Sequence, residues 1–232
     1  MEHACQQHFV SGDCGPLLMD AKYHITLTRM ALQGEFDVAA LAEVVKANLG
    51  QDALRYQLGN KPHFHCDNNR IAESLAYVEA QHEVILVAAA TGDDAQRMRA
   101  ALGRLFHTVQ DFYAHANYVD LWLATQRDPR PPAEAIDGLD PALLSHPELR
   151  TGVTILLRDF IYYLPVLGSI AHKIFIPPGS HQEMNLDSPA RGWRFRYAFV
   201  AAYQRTRAEY ARARETVQEV GGEAAVERLR QA

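Results

Sequence analysis

Three side chains that commonly bind metal ions recur at four-residue intervals in the segment HTVQDFYAHANYVD. They are His107, Asp111 and His115. An α-helix turns by ~100° per residue, so each step of four advances only ~40° around the axis and the three side chains share one face. Two imidazoles flanking a carboxylate suit Zn²⁺ and other first-row divalent ions. The spacing therefore predicts a metal site on one helical face.

The neighbours of these side chains are largely apolar, which indicates that the helix is buried. They include Leu105, Phe106, Phe112, Tyr113 and Trp122. Buried imidazoles and carboxylates need polar partners, and one another plus a metal ion would provide them. A solvated polar face is the alternative interpretation, and the apolar neighbours count against it.

Other candidate ligands lie earlier in the chain. His24 sits within one predicted helix among apolar residues, and Asp52 within a second one. A histidine or aspartate in such a place is more often a core residue, so both depend on the site at His107. His63 and His65 in HFHCDN point to opposite sides if that segment is extended, so only one of them faces the site.

A loop late in the chain, PPGSHQEMNLDSP, contains His181. Oxygen donors near it are Glu183, Asn185 and Asp187. The remaining histidines have no partner spacing: His3, His8, His82, His146 and His172.

Helical patterns account for most of the chain, and alternating strand patterns are scarce. The predicted helices cover 20–33, 36–57, 69–90, 95–125 and 188–218, with a short helix at the end. We expect one all-α domain spanning 1–232, with a loop-rich apolar insert at about 126–189.

Composition excludes several classes of protein. The 232 residues are 48% hydrophobic and 22% charged, which is unlike a disordered or collagenous chain. The net charge of -5 gives no support for a duplex DNA binder. Three cysteines without a CxxC pair argue against a thiolate zinc site, and free thiols are favoured over a Cys5–Cys14 bridge.

The N-terminal residues do not form a signal peptide pattern, so we expect a cytoplasmic protein or a trimmed exported one. The apolar stretch 160–177 is interrupted by Pro165, Gly168, His172 and Lys173, and it does not resemble a transmembrane helix.

The segment LGRLFHTVQDFYAHANYVDLW resembles the signature of the HET-C family, the heterokaryon incompatibility protein C and its bacterial relatives. More weakly, the order of histidines and aspartates across 23–187 is similar to zinc-dependent phospholipase C and the fungal single-strand nucleases. The resemblance implies an all-helical domain of the phospholipase C and nuclease type, with zinc ions in a cleft.

The resemblance also implies a set of metal ligands, with Asp111 bridging two ions. The set is His24, Asp52, His65, His107, Asp111, His115 and His181, with His63 as an alternative to His65.

The chain departs from the family pattern at two positions. Asn185 stands where the phospholipases have Glu, and Asp120 stands where the HET-C signature has Glu. Asp187, Glu183 or Asp120 would then complete the second zinc site. No residue matches the N-terminal amine ligand, so two or three zinc ions are expected.

The function implied by the resemblance is phosphodiester hydrolysis through a metal-activated water. A phospholipase C-like enzyme acting on glycerophospholipids is favoured, with Asp52 as the catalytic base and with peripheral membrane contact. Phe160, Tyr162 and Tyr163 would form an apolar wall for the lipid. The alternatives are a non-enzymatic HET-C-like cell-death or interaction protein with structural zinc, and a single-strand nuclease or other phosphodiesterase.

Overall fold

The computed structural model describes residues 21–53, 56, 61–92, 95–154 and 176–232. Their α-helices are α1 (Ala21–Ala31), α2 (Val38–Leu49), α3 (Ile71–Thr91), α4 (Ala95–His115), α5 (Tyr118–Ala124), α6 (Pro141–Leu144), α7 (His181–Met184) and α8 (Phe195–Arg230). Within these ranges the extended pairings are two isolated bridges, Ala116 with Thr151 and Val153 with Ser180. The predicted all-α class is confirmed.

Local chemistry sets several of the helix ends. Asp37 caps α2 by accepting a hydrogen bond from the backbone N–H of Ala40 at 2.7 Å. Gly92 ends α3 in the left-handed conformation, with φ of 74°. Gly222, with φ of 65°, kinks α8 so that its last turns continue in a new direction.

Helix α4 is central to the fold, and its residues contribute to two hydrophobic clusters. One cluster packs Phe112 and Tyr113 against residues of α5 and the start of α8. The other packs Leu102 and Phe106 against residues of α2, α3 and the later part of α8.

The predicted helix over 95–125 is divided in the structure. Helix α4 ends at His115 because Asn117 turns to pair with the chain around Arg150. The backbone N–H of Asn117 donates to the Arg150 carbonyl, and the Asn117 Oδ1 accepts from the Arg150 N–H at 2.9 Å. Similarly, α2 ends at Leu49 in a 3-10 turn over Gly50–Asp52.

The last helix begins at Phe195 rather than at residue 188. A 3-10 turn over Pro189–Arg191 precedes it, and Gly192 follows this turn with φ of 102°. The helix then runs on to Arg230 and takes in the short helix predicted at the end of the chain. None of the helices in the described ranges is both long enough and apolar enough to span a bilayer.

Candidate metal centre

The three side chains that the four-residue spacing placed on one face all point inward from α4. His107 is 0% exposed, Asp111 2% and His115 4%. The helix is buried almost completely from Leu105 to His115, so these groups are removed from water. Their polar atoms must therefore find partners in other parts of the fold.

The first cluster consists of His24, Asp52, His65, His107 and Asp111, with Asp111 near its centre. Oδ1 of Asp111 lies 3.1 Å from Nε2 of His24. Oδ2 of the same carboxylate lies 2.9 Å from Nδ1 of His65 and 3.1 Å from Nε2 of His107. Asp52 stands at the edge of this cluster, and its Oδ1 is 3.5 Å from Nε2 of His107.

The second cluster consists of Asp67, His115, His181 and Asp187. Oδ1 of Asp67 lies 3.0 Å from Nδ1 of His181 and 3.3 Å from Nδ1 of His115. On the other side of the His115 ring, Nε2 lies 3.0 Å from Oδ1 of Asp187. The two clusters adjoin, because Nδ1 of His115 donates to the backbone carbonyl of His65 at 2.9 Å.

Two amide side chains fix the protonation of the histidine rings in the first cluster. Nδ1 of His24 faces the carbonyl oxygen of Gln110 at 2.7 Å, and Nδ1 of His107 faces that of Asn48 at 3.3 Å. Because an amide oxygen only accepts hydrogen bonds, each Nδ1 carries the proton. In the neutral ring Nε2 then has a lone pair directed toward the carboxylate of Asp111.

The amide orientations are fixed in turn by the hydroxyl group of Thr28. Nδ2 of Asn48 donates to this hydroxyl and to the Gln110 carbonyl oxygen, and Nε2 of Gln110 donates to the same hydroxyl. A network outside the ligands that orients imidazole rings in this way is typical of metal sites in proteins.

Several buried polar atoms of the first cluster form no hydrogen bond within the described chain. They are Nε2 of His24, Nε2 of His65 and Oδ1 of Asp111. Nε2 of His24 and Oδ1 of Asp111 are only 3.1 Å apart, yet their geometry is not that of a hydrogen bond. A lone pair facing a carboxylate oxygen is repulsive unless a cation or a proton lies between them.

The distances suit an ion shared among these atoms. The potential ligand atoms of His24, His107 and Asp111 lie within 4.8 Å of one another. The same holds for Asp52, His65 and His107, and for Asp67, His115 and His181. Two ligand atoms at ~2.1 Å from a tetrahedral ion stand ~3.4 Å apart, close to the separations observed here.

Electrostatics within the first cluster favour charge on Asp111 and on two of its histidine partners, His24 and His65. Burial lowers the pKa of His24, but the Asp111 carboxylate outweighs burial, so this pKa lies above its ordinary value. The pKa of His65 is raised in the same way. Burial lowers the pKa of His107, and here burial prevails over Asp111. Burial raises the pKa of Asp111, but His107 and His24 hold it well below its ordinary range.

The second cluster shows the same electrostatic pattern. Burial lowers the pKa of His115, but Asp187 and Asp67 raise it well above its ordinary value. Burial raises the pKa of Asp67, and His181 and His115 outweigh that effect and lower it. The Asp67 carboxylate therefore remains anionic at neutral pH and requires cationic partners.

Some predicted ligands lie apart from both clusters. His63 packs on the rings of Phe64 and Tyr77, and His65 is the residue that faces the first cluster. Asp120 is half exposed and pairs with Arg194 at 3.2 Å, because α5 diverges from the face of α4.

Near His181, Glu183 is exposed and accepts from the N–H of Gly179, whereas Asn185 bonds to both His181 and Asp187. Phe160, Tyr162 and Tyr163 lie outside the described residues.

Three residues of the site were not among the predicted ligands. Asp67 had a weak sequence signal, since it follows His65 by two residues. Asn48 and Gln110 had no sequence signal, because nothing in the sequence distinguishes these amides from other amide side chains within helices. Their roles depend on packing between helices.

The comparisons with known proteins point to a different family from the one that the sequence resembled. Residues 18–128 match the family model described as the VWA7 N-terminal domain. The chain is 32% identical to von Willebrand factor A domain-containing protein 7 of Homo sapiens over 170 residues, which is 66% of the chain and 18% of the human protein. The proteins of the same name in Rattus norvegicus and Mus musculus are each 38% identical over 94 residues, 40% of the chain and 10% of their own length.

These matches correct the functional predictions. The identification with the HET-C family and with zinc-dependent phospholipase C is wrong, because the family model and the named relatives belong to VWA7. The prediction of a zinc-dependent hydrolase or phosphodiesterase is wrong for the same reason. The catalytic role of Asp52 depended on that activity and stays a prediction. The phospholipid partner rested only on that resemblance and loses its support.

No solved structure matches the chain, so the phospholipase-type arrangement of the helices stays a prediction. The chain spans less than a fifth of the length of the human relative. Over residues 18–128, it is similar to the N-terminal domain of VWA7.

Proposed function

We propose that this helical chain is a metal-binding domain, which holds divalent transition-metal ions in its first and second clusters. Histidine nitrogens and carboxylate oxygens in small, mixed sets suit Zn²⁺ and its first-row neighbours better than Mg²⁺ or Ca²⁺, which prefer oxygen ligands. Two or three ions would be accommodated, with Asp111 shared between sites in the first cluster.

The observation that carries this proposal is the direction of the ring lone pairs. Gln110 and Asn48 hold a proton on Nδ1 of His24 and of His107, so Nε2 of each ring faces Asp111. Nε2 of His24 and Oδ1 of Asp111 have no hydrogen-bond partner among the described residues, and without a cation or a proton between them they would face one another unsatisfied in a dry interior. A bound ion removes this conflict.

Burial favours a structural role for these ions. Structural metal sites are closed by protein ligands, whereas catalytic sites keep an open position. His24 and His107 are at most 1% exposed. The first cluster joins α1 and α4 to Asp52 and to the His65 loop, so an ion there would fix four parts of the chain together.

The test is metal analysis of the purified chain, before and after chelation and after addition of Zn²⁺. We expect Asp111→Asn to abolish tight binding at the first cluster while far-UV circular dichroism stays helical. Asp120→Asn is the matched control, because Asp120 is exposed and paired with Arg194. The proposal fails if the unaltered chain binds no ion tightly, or if both variants bind ions equally well.

A further inference from the structure

The loop that carries Asp67 has an unusual backbone. Cys66, Asn68 and Asn69 all adopt positive φ, at 51°, 60° and 56°. This left-handed region is uncommon for residues other than Gly, although Asn tolerates it best. Three such residues around one aspartate persist only where surrounding contacts hold them, and such clusters are typical of functional sites.

Those contacts come from the extended segment 151–154. Oδ1 of Asn69 accepts from the N–H of Thr151 at 2.8 Å, and the N–H of Asn69 donates to the Thr151 hydroxyl at 2.9 Å. Oδ1 of Asn68 accepts from the N–H of Thr154 at 2.6 Å, and the N–H of Asn68 donates to the Gly152 carbonyl at 2.8 Å. The loop is therefore clamped to this segment along its length.

The same segment contacts both histidines of the second cluster. The N–H of Gly152 donates to the carbonyl of His115 at 3.0 Å, and the N–H of His181 donates to the carbonyl of Val153 at 3.1 Å. A Cβ added to Gly152 would lie 2.6 Å from Cα of His181, so the backbones of these two segments are in contact. One segment thus sets the positions of Asp67, His115 and His181.

We propose that Asn68 and Asn69 are positioning residues of the second cluster, and that this cluster binds its ion as a separate centre that depends on their clamp. The inference rests on the proposed function. His24 and His107 are oriented by Gln110 and Asn48 instead, so loss of the clamp leaves these two ligands of the first cluster in place, and His65 is the first-cluster ligand that adjoins the clamped loop. The chain would then contain two centres whose main supports differ.

The experiment measures Zn²⁺ stoichiometry and affinity in the full chain for variants of the clamp. Asn69→Gly keeps the left-handed backbone and removes the side-chain contact. Thr151→Val removes the hydroxyl that accepts from Asn69, and Thr151→Ser is its matched control because it keeps that hydroxyl. His181→Ala, which removes a ligand of the second cluster, serves as the reference for its loss.

We expect Asn69→Gly and Thr151→Val to lower the Zn²⁺ affinity of one class of site by ~10- to 100-fold, which is the usual effect of removing the support of a ligand. The Thr151→Ser variant should bind Zn²⁺ as the unaltered chain does. Asn69→Gly added to His181→Ala should cause no further loss, because both act on one centre. Far-UV circular dichroism of each metal-free variant separates these effects from unfolding.

Three outcomes overturn the inference, and they can be distinguished. If the unaltered chain binds no ion, the proposed function fails and the inference fails with it. If the chain binds ions and the clamp variants bind them unchanged, only the inference fails. If Asn69→Gly lowers affinity further in the His181→Ala chain, the clamp acts on the first cluster and the centres are not independent.

Discussion

At the scale of single residues, the site depends on the side chains that orient the proposed ligands as much as on the ligands themselves. Gln110 is completely buried, and its amide links the rings and hydroxyls around Asp111. Its oxygen sets which nitrogen of His24 bears the proton.

Gln110→Leu should lower Zn²⁺ affinity by ~10- to 100-fold, because His24 loses the acceptor that fixes its ring. Isothermal titration of the metal-free protein measures this change. Gln81→Leu is the control, since Gln81 is also buried but accepts its hydrogen bond from Arg104, at 2.7 Å, and belongs to neither cluster. Equal affinities for the two variants would contradict the orienting role of Gln110.

The stability of the metal-free protein should fall as pH rises. The pKa values of His24, His65 and His115 are raised in the folded chain, mainly by neighbouring carboxylates that outweigh burial. Their protonation stabilises the fold fully below the ordinary histidine pKa of ~6.5, and this contribution is lost as pH rises through the higher folded values.

The stabilisation by added Zn²⁺ should instead increase as pH rises, because the ligands must lose their protons to bind the ion. The rise in melting temperature on adding Zn²⁺ should therefore grow from about pH 6 to pH 8. Thermal melts with and without the ion at each pH measure this difference. A metal-free melting temperature that does not fall over this range would contradict the assignment of protonated histidines.

At the scale of elements, close approach of α2 and α4 makes the orienting network possible. A Cβ added to Gly103 would lie 2.2 Å from the backbone oxygen of Val44 and 2.9 Å from the backbone nitrogen of Asn48. Only a glycine lets the two backbones come this near. This approach brings Asn48 on α2 within reach of His107, one turn further along α4.

Gly103→Ala should destabilise the protein by about 1–3 kcal/mol, because the added methyl group forces α2 and α4 apart. Urea unfolding of the metal-free variant measures this loss, and Zn²⁺ affinity should fall with it. Gly50→Ala is the matched control: Gly50 has helical dihedral angles and open space around its Cα. A Gly103→Ala protein as stable as the Gly50→Ala protein would contradict this account of the helix contact.

At the scale of the whole molecule, two hydrophobic clusters hold together the helices of the described ranges, and the polar clusters join parts of the chain that are distant in sequence. His24 and Asp111 are separated by 87 positions in the chain, and Asp67 and His181 by 114. An ion bound to such pairs stabilises the native state alone, because the unfolded chain does not bring the ligands together. Metal removal is therefore expected to lower global stability.

Chelation should lower the melting temperature of the full chain by about 5–10 °C relative to protein with free Zn²⁺ at a hundred times its dissociation constant. Differential scanning calorimetry measures this shift. Zn²⁺ should restore the original value, and Mg²⁺ should not, because Mg²⁺ prefers oxygen ligands and keeps its water shell. Restoration by both ions would indicate a nonspecific charge effect.

The sequence by itself determined the helical class and the shared face of His107, Asp111 and His115, because both follow from local periodicity. It also indicated His24, Asp52 and His181 as members of the site. It led to the wrong family and to the wrong enzymatic function, since a short signature around α4 does not distinguish families that share metal-ligating residue types.

Only the tertiary structure decided which of His63 and His65 faces the site, and that Asp120 points away from it. It also supplied Asn48, Gln110 and the clamp of Asn69 on Thr151. The physical reason is that hydrogen bonds across 42 to 86 positions depend on how helices and loops pack. Local spacing determines a helical face, whereas contacts between elements are fixed by the burial of the whole core.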